Sequence, residues 1–138
     1  MRICDMPILI KPLKVNIDPE SRGFEIQGMQ KSKLFDGKDA RDVVLQTIRP
    51  HKIRGNHYHI KKFEWFLPVR GSAVLTWFDR DDSNPQKGTE LMTADFQNPK
   101  LFEIQPNTCH LIENETEEDF YMLTFSTEDY DPADTKKC

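Results

Sequence analysis

Long hydrophobic runs are missing from this sequence. Its longest apolar stretches, such as residues 6–10 and 65–69, each hold a proline and fall far short of the roughly 20 residues that an apolar helix needs to cross a bilayer. No membrane-spanning helix is expected, and with no signal-peptide pattern at its start the expected location is cytoplasmic. A basic stripe is missing too: the net charge is −4, which argues against a nucleic-acid surface, because phosphate backbones require clustered lysine and arginine. Cysteine is scarce. Cys4, Cys109 and Cys138 are odd in number and widely spaced, so no disulfide framework is expected. Cys109 beside His110 is a conceivable metal ligand, but neighbouring residues in a strand point to opposite sides. Cys4 and Cys138 fall at the chain ends, where fraying is the rule. There is also no internal repeat, no low-complexity segment and no 3.6-residue apolar period sustained over three turns, which excludes solenoids and helical bundles.

What is present is a chain of 138 residues with 37% hydrophobic and 30% charged side chains, the composition of one folded domain over residues 1–138. Short apolar or alternating segments recur about every ten residues, separated by turn signals, and predict at least eight strands. An edge strand is expected over 8–17, where Pro12 forbids an inner ladder bond, then a turn at 18–23, a strand at 24–27 and a loop at 30–42. Further strands are expected at 42–49, within 54–71, and at 72–80, 88–94, 99–104, 110–114 and 120–127. Asp81 to Pro85 and Glu115 to Asp119 are read as turns. The polar tail at 128–138 is expected on the surface. Many short strands without helices indicate an all-β barrel or sandwich, whose interior can gather polar residues.

The chain has four histidines, and His57 and His59 lie one residue apart. Positions i and i+2 of a strand share a face, so both imidazoles enter the same space. Glu64 follows closely, and His110 lies near a proline turn in a later segment. A lone histidine in a strand is usually a core or surface residue. Three imidazoles and a carboxylate that converge make a metal site, and a mixed nitrogen and oxygen set suits transition metals rather than calcium or magnesium. Zinc is the leading expectation, with iron, manganese or nickel as alternatives.

The stretch 51–71 resembles the first motif of the cupin superfamily: His57-Tyr58-His59, four residues, Glu64, six residues and Gly71. The stretch 104–114 resembles the second motif through Pro106, Asn107, His110 and Asn114. His51 stands where the first motif usually opens with glycine, and Asn107 stands in place of the turn glycine. The run Arg54 to His59 with Lys62, Glu64 and Phe66 is most similar to the cupin domain of capsular polysaccharide-assembling enzymes. It resembles less closely the WxcM-like ketoisomerases and the dTDP-4-dehydrorhamnose 3,5-epimerases. The closing residues 129–135 resemble the end of the capsular domain.

The resemblance implies a single-domain jelly-roll barrel, a double-stranded β-helix, acting on a nucleotide-linked 4-keto sugar in surface polysaccharide synthesis. A proton next to the carbonyl is removed and returned, and the oxygen that gains charge must be stabilised. A metal on His57, His59, Glu64 and His110 could do so as a Lewis acid. Tyr58, Lys62, Tyr121 and His51 are then the candidate bases. The 3,5-epimerases imply a metal-free alternative in which the position matching His57 is the base. Arg54, with Asn56 and His51, is expected to bind substrate, since a guanidinium makes paired bonds to diphosphate oxygens. Other readings are a non-enzymatic sugar- or metal-binding cupin and an iron dioxygenase.

Phe63, Trp65 and Leu67 should share one strand face while Glu64, Phe66 and Pro68 share the other. Both faces are partly apolar, so a homodimer is expected to cover the outer one.

Overall fold

The computed structural model describes residues 7–27, 35, 37–80 and 86–138. The expectations for Cys4, for most of the loop at 30–42 and for the turn at 81–85 concern residues outside that set.

As expected, the chain is almost entirely β. Among the described residues, eleven strands precede a single 3-10 turn: β1 Ile8–Pro12, β2 Lys14–Ile17, β3 Phe24–Gln27, β4 Asp42–Ile48, β5 Ile53–His59, β6 Glu64–Arg70, β7 Ser72–Asp79, β8 Lys87–Thr93, β9 Lys100–Ile104, β10 Thr108–Glu113 and β11 Phe120–Ser126. The 3-10 turn, Pro132–Asp134, leads into β12, Thr135–Lys137. Two five-stranded antiparallel sheets, ordered β1-β9-β6-β11-β4 and β12-β5-β10-β7-β8, face each other, and β2 and β3 form a separate hairpin. Among the described residues no helix is long and apolar enough to cross a membrane.

The alternation in each strand explains this arrangement. Phe66, Phe102, Ile104, Phe120 and Met122 from one sheet meet Ala73, Leu75, Trp77, Met92 and Ile112 from the other in a buried core. The opposite side of the first sheet carries a second cluster of Trp65, Leu67 and Leu101, closed over by Leu13 and Phe35 with Ile26 and Ala40 against it. The outer face that was expected to need a second copy is thus covered largely by the chain's own residues. The expected strand over 8–17 is two strands. The chain leaves the sheet at Leu13, whose N–H donates to the Pro99 carbonyl at 2.9 Å, and the buried Leu13 side chain joins the second cluster.

The polar tail lies on the surface as expected over most of its length, but it is paired there: Thr135, Lys136 and Lys137 pair with His59, Tyr58 and His57, and Asp134 is buried. The expectation for the cysteines is corrected: Cys109 and Cys138 form a disulfide with their Cα atoms 6.1 Å apart. Their sequence separation of 29 hides the bridge; β12 creates it by carrying the chain end back alongside β5. Bonded this way, Cys109 is not a metal ligand.

The feature of the fold that matters most for the site is a bulge in β5. Against β10, His57 pairs with His110 but Gly55 pairs with the very next residue, Leu111, so Asn56 is the extra residue. Gly55 and Asn56 both have positive φ, at 95° and 65°. A Cβ on Gly55 would lie 2.8 Å from the His110 carbonyl oxygen. Only glycine satisfies both conditions. Gly55→Ala is therefore expected to destabilise the fold by about 2 kcal/mol or more through left-handed strain and displacement of the His110 backbone. Urea unfolding checks this; an unchanged midpoint would show that the bulge tolerates a side chain.

Candidate metal centre

Strand β5 presents His57 and His59 to the barrel interior, β6 begins with Glu64, and β10 places His110 directly opposite His57. The three rings lie together, with centroids 4.8 Å apart for His57–His59, 4.9 Å for His57–His110 and 5.8 Å for His59–His110. One ligand-capable atom from each of His57, His59, Glu64 and His110 falls within 4.8 Å of every other. His59, Glu64 and His110 are buried, and His57 is partly open.

The contacts inside this cluster call for a cation. His59 Nε2 is 3.1 Å and His110 Nε2 is 3.3 Å from the same oxygen, Glu64 Oε1. Those are ion-pair distances, yet His59 Nε2 and Glu64 Oε1 are buried without a hydrogen-bond partner of good geometry. His110 Nδ1 lies 2.9 Å from the Thr108 carbonyl; as a carbonyl only accepts, this nitrogen carries a proton. In neutral His110 the Nε2 lone pair then points at a carboxylate lone pair, which is repulsive until a proton or a metal ion intervenes. Neutral imidazoles and a carboxylate, ring-oriented by a backbone carbonyl, are a donor set that fits a divalent transition metal.

Electrostatics keep the donors in ligand form. Burial, then the nearby His110 and His59, push His57 down to about 4. Lys62 adds to the same effect, so the His57 imidazole keeps its lone pair at neutral pH. Burial alone would push the Glu64 carboxyl up, but His110 and His59, when they carry a proton on Nε2, outweigh it and hold the group well below the usual carboxylate range.

The cluster lies at a cavity of about 310 Å³ lined by Gln46, Arg54, Gly55, His57, Glu64, Phe66, His110, Ile112 and Met122. Arg54 reaches it only because of the bulge, since residues three apart in a regular strand face opposite sides. Its Nε donates to the Thr47 carbonyl at 3.0 Å, and Arg54 also lines a neighbouring cavity of about 600 Å³ with Arg49, Lys52 and Tyr121.

The other sequence candidates lie elsewhere. Tyr58, between two inward histidines, faces outward, where Arg80 sits 4.3 Å over its ring. Tyr121 lines the neighbouring cavity rather than that of the cluster. Lys62 is buried close to His57 without lining the cavity. Asn56 is exposed at the bulge, with its carbonyl accepting from the Cys138 N–H at 3.2 Å. His51 is exposed on a turn with φ 62° and pairs with Glu117 at 2.7 Å, which gives the residue standing for the motif's opening glycine a left-handed backbone. Asn107, in place of the turn glycine, has φ 60°. Sequence reading missed Gln46, which lines the cavity and accepts from Thr124 Oγ1 at 2.7 Å. It also missed Asp134 and Thr135, whose signal was confined to a local capping pattern: the Asp131 side chain accepts from the Ala133 N–H, with Pro132 opening the turn.

His57 generates a pH-dependent prediction for metal-free protein. The unfolded chain protonates His57 near pH 6.5, whereas the folded chain resists until about 4. The native state holds this contribution above the unfolded value and loses it as pH falls toward the folded one. Urea unfolding of chelator-treated protein should lose about 1–2 kcal/mol between about pH 6.5 and about pH 4.5, and His57→Gln should flatten that slope. Equal slopes would remove His57 as its source.

Comparison with known proteins follows the same lines. No curated protein matches the sequence. Among solved structures, the fold is similar to that of QdtA, a sugar 3,4-ketoisomerase from Thermoanaerobacterium thermosaccharolyticum crystallised with TDP, at TM-score 0.77 and 18% identity over 98% of this chain and 90% of that one. It is also similar to ChmJ, a 3'-monoepimerase from Streptomyces bikiniensis in complex with dTDP-quinovose, at TM-score 0.78 and 15% identity over 94% and 68% of the two chains. The capsular polysaccharide assembling protein CapF from Staphylococcus aureus matches at TM-score 0.63 and 25% identity over 91% of this chain, which spans 34% of CapF. The family profile described as the polysaccharide biosynthesis C-terminal domain matches residues 30–137. With its two facing sheets and this match over most of its length, the chain belongs to the polysaccharide biosynthesis C-terminal domain family and has the cupin jelly-roll fold.

Proposed function

We propose that the chain is a nucleotide-sugar epimerase or isomerase acting on a 4-keto deoxy sugar, with a divalent metal, zinc first, held by His57, His59, Glu64 and His110. The observation that carries this reading is the convergence of those four donors at a cavity onto which Arg54 opens. The substrate class is suggested by structural neighbours crystallised with TDP, TDP-4-keto-6-deoxyglucose and dTDP-quinovose.

The division of space suits such a substrate. A cavity of about 310 Å³ is at the small end for ligand pockets and takes the sugar ring. Arg54 lines both it and the neighbouring cavity, where Arg49 and Lys52 add positive charge, which supports a diphosphate held by Arg54 with the nucleoside beyond. A C–H bond next to a carbonyl is a weak acid, so its ionisation requires stabilisation of charge on the oxygen. A metal in the cluster supplies that stabilisation as a Lewis acid. Phe66, Ile112 and Met122 give the cavity one apolar side, which strengthens electrostatic contacts beside it. Of the candidate bases, His57 lines the cavity whereas Tyr58, Lys62 and Tyr121 do not. Its single lone pair serves either the metal or the substrate proton, so the metal-free epimerase is the second reading.

A homodimer remains part of the proposal, now through β4: at this edge of its sheet among the described residues, Val43, Val44 and Leu45 are exposed.

Elemental analysis of untagged, chelator-free protein comes first and should find near-stoichiometric metal, with deuterium from solvent entering a TDP-linked 4-keto-6-deoxy sugar. Absence of metal, with none taken up on addition, would transfer His57 to the role of base; no deuterium entry in either state would sink the enzyme reading. His59→Ala and His110→Ala should each lose the metal while keeping the β circular dichroism signal, and retention of metal by both would overturn the ligand assignment. Arg54→Ala should leave metal content intact and weaken TDP binding by about 1.5–3 kcal/mol. Unchanged TDP affinity would take Arg54 out of the site.

A further inference from the structure

The C-terminal segment lies along β5 over the length that carries the two site histidines. Three groups hold it there. Asp134, buried, accepts the Ile60 and Lys61 N–H groups on Oδ1 at 3.1 and 2.9 Å and the Lys62 N–H on Oδ2 at 3.3 Å. It thereby fixes the turn that sets Glu64 relative to His59. Thr135 Oγ1 lies 3.4 Å from the Asp131 carbonyl and 3.3 Å from His59 Nδ1. A carbonyl only accepts, so the hydroxyl proton goes to Asp131 and the threonine oxygen accepts from His59 Nδ1–H. That leaves the His59 lone pair on Nε2, the atom 3.1 Å from Glu64. The third group is the disulfide from Cys138 to Cys109, the residue before His110.

Beyond Asp134 and Thr135 the disulfide is the main attachment. β12 has three residues at a sheet edge, two of them exposed, and short edge strands with few buried contacts open readily. The covalent bond ties the chain end to β10, an inner strand.

We infer that residues 131–138 form a thiol-sensitive strap that positions the metal ligands, with Asp134 and Thr135 as positioning residues for Glu64 and His59 and the Cys109–Cys138 bond as its clasp. The inference rests on the metal-site reading. A dithiol opens the clasp by thiol–disulfide exchange: one S–S bond breaks, Cys109 and Cys138 each gain an electron and a proton, and the dithiol closes to its own disulfide. The strap then lifts, His59 loses the partner that fixes its tautomer, and the turn after it loses its acceptor.

The test compares oxidised protein, protein reduced with dithiothreitol and desalted anaerobically, and the Cys109→Ser/Cys138→Ser variant, which has no thiol at this place to bind zinc itself. Amide hydrogen exchange reads residues 57–64 and 135–138, and competition with a chromogenic chelator reads zinc affinity. Opening the clasp should speed exchange in both segments while the barrel core stays protected, and the double variant should bind zinc about tenfold or more weakly, as expected for lost support of a ligand. Thr135→Val, with the disulfide intact, should weaken zinc binding without a matching fall in the unfolding midpoint of the metal-free protein, and Thr135→Ser should restore it. Unchanged exchange on reduction, or unchanged zinc affinity in both the double variant and Thr135→Val, overturns the strap. If oxidised protein binds no zinc, the metal reading fails by itself. Exchange then still decides whether the bond fastens the segment, and equal exchange in all three forms rejects it.

Discussion

A carboxylate buried among imidazoles governs this structure. Removing the Glu64 charge from water costs several kcal/mol unless positive or hydrogen-bonding groups surround it. Nearest to it are His59 and His110, which answer that charge once a proton or a metal ion lies between them and the carboxylate, and each comes from a different strand. Their meeting requires β5 and β10 to run side by side with His57 opposite His110, and β6 to enter the facing sheet at Glu64. The barrel is what delivers strands from two sheets to one point. The apolar core of Phe66, Trp77, Ile104 and Phe120 holds the sheets at that spacing, so packing and site chemistry share the same residues and the same inner faces.

The sequence makes the four donors legible because their information is local and periodic. His57 and His59 share parity, Glu64 belongs to the same short stretch, and the proline turn marks the segment with His110. The same parity rule already places Tyr58 on the outer face, away from the cavity where it was considered as a base. Arg54 is the opposite case. Three residues before His57, it has the wrong parity for the cavity, and it reaches the cavity only through the extra residue at Asn56. The Gly55-Asn56 pair marks a place of unusual backbone without saying that a bulge will form there.

What stayed hidden is long-range. Thr135 meets His59 across 76 positions, and the disulfide joins a strand residue to the chain end; neither leaves a spacing pattern. The outer cluster was legible in composition but not in ownership. Trp65 and Leu67 plainly needed cover, and the cover comes from Leu13 and Phe35 of the same chain. Polarity revealed the tail's exposure but not its pairing with β5. The segment is rich in charge, and its one buried carboxylate, Asp134, is valuable because it accepts backbone N–H groups that a turn between two strands leaves open.

The pairing of β4 with β11, β5 with both β10 and β12, and β1 with β9 shapes how the molecule is made. Each of these joins an early strand to a late one, a topology of high contact order that folds slowly. As the chain leaves the ribosome from its N-terminus, His57, His59 and Glu64 emerge well before His110, and their strands wait with apolar faces uncovered. Residues 135–137, made after the eleven strands that precede them, close over the histidine strand. A product that stops short of Asp134 would hold the two facing sheets and lack the strand that lies against the histidines, so the histidine strand is the part of the site that gains its neighbours last.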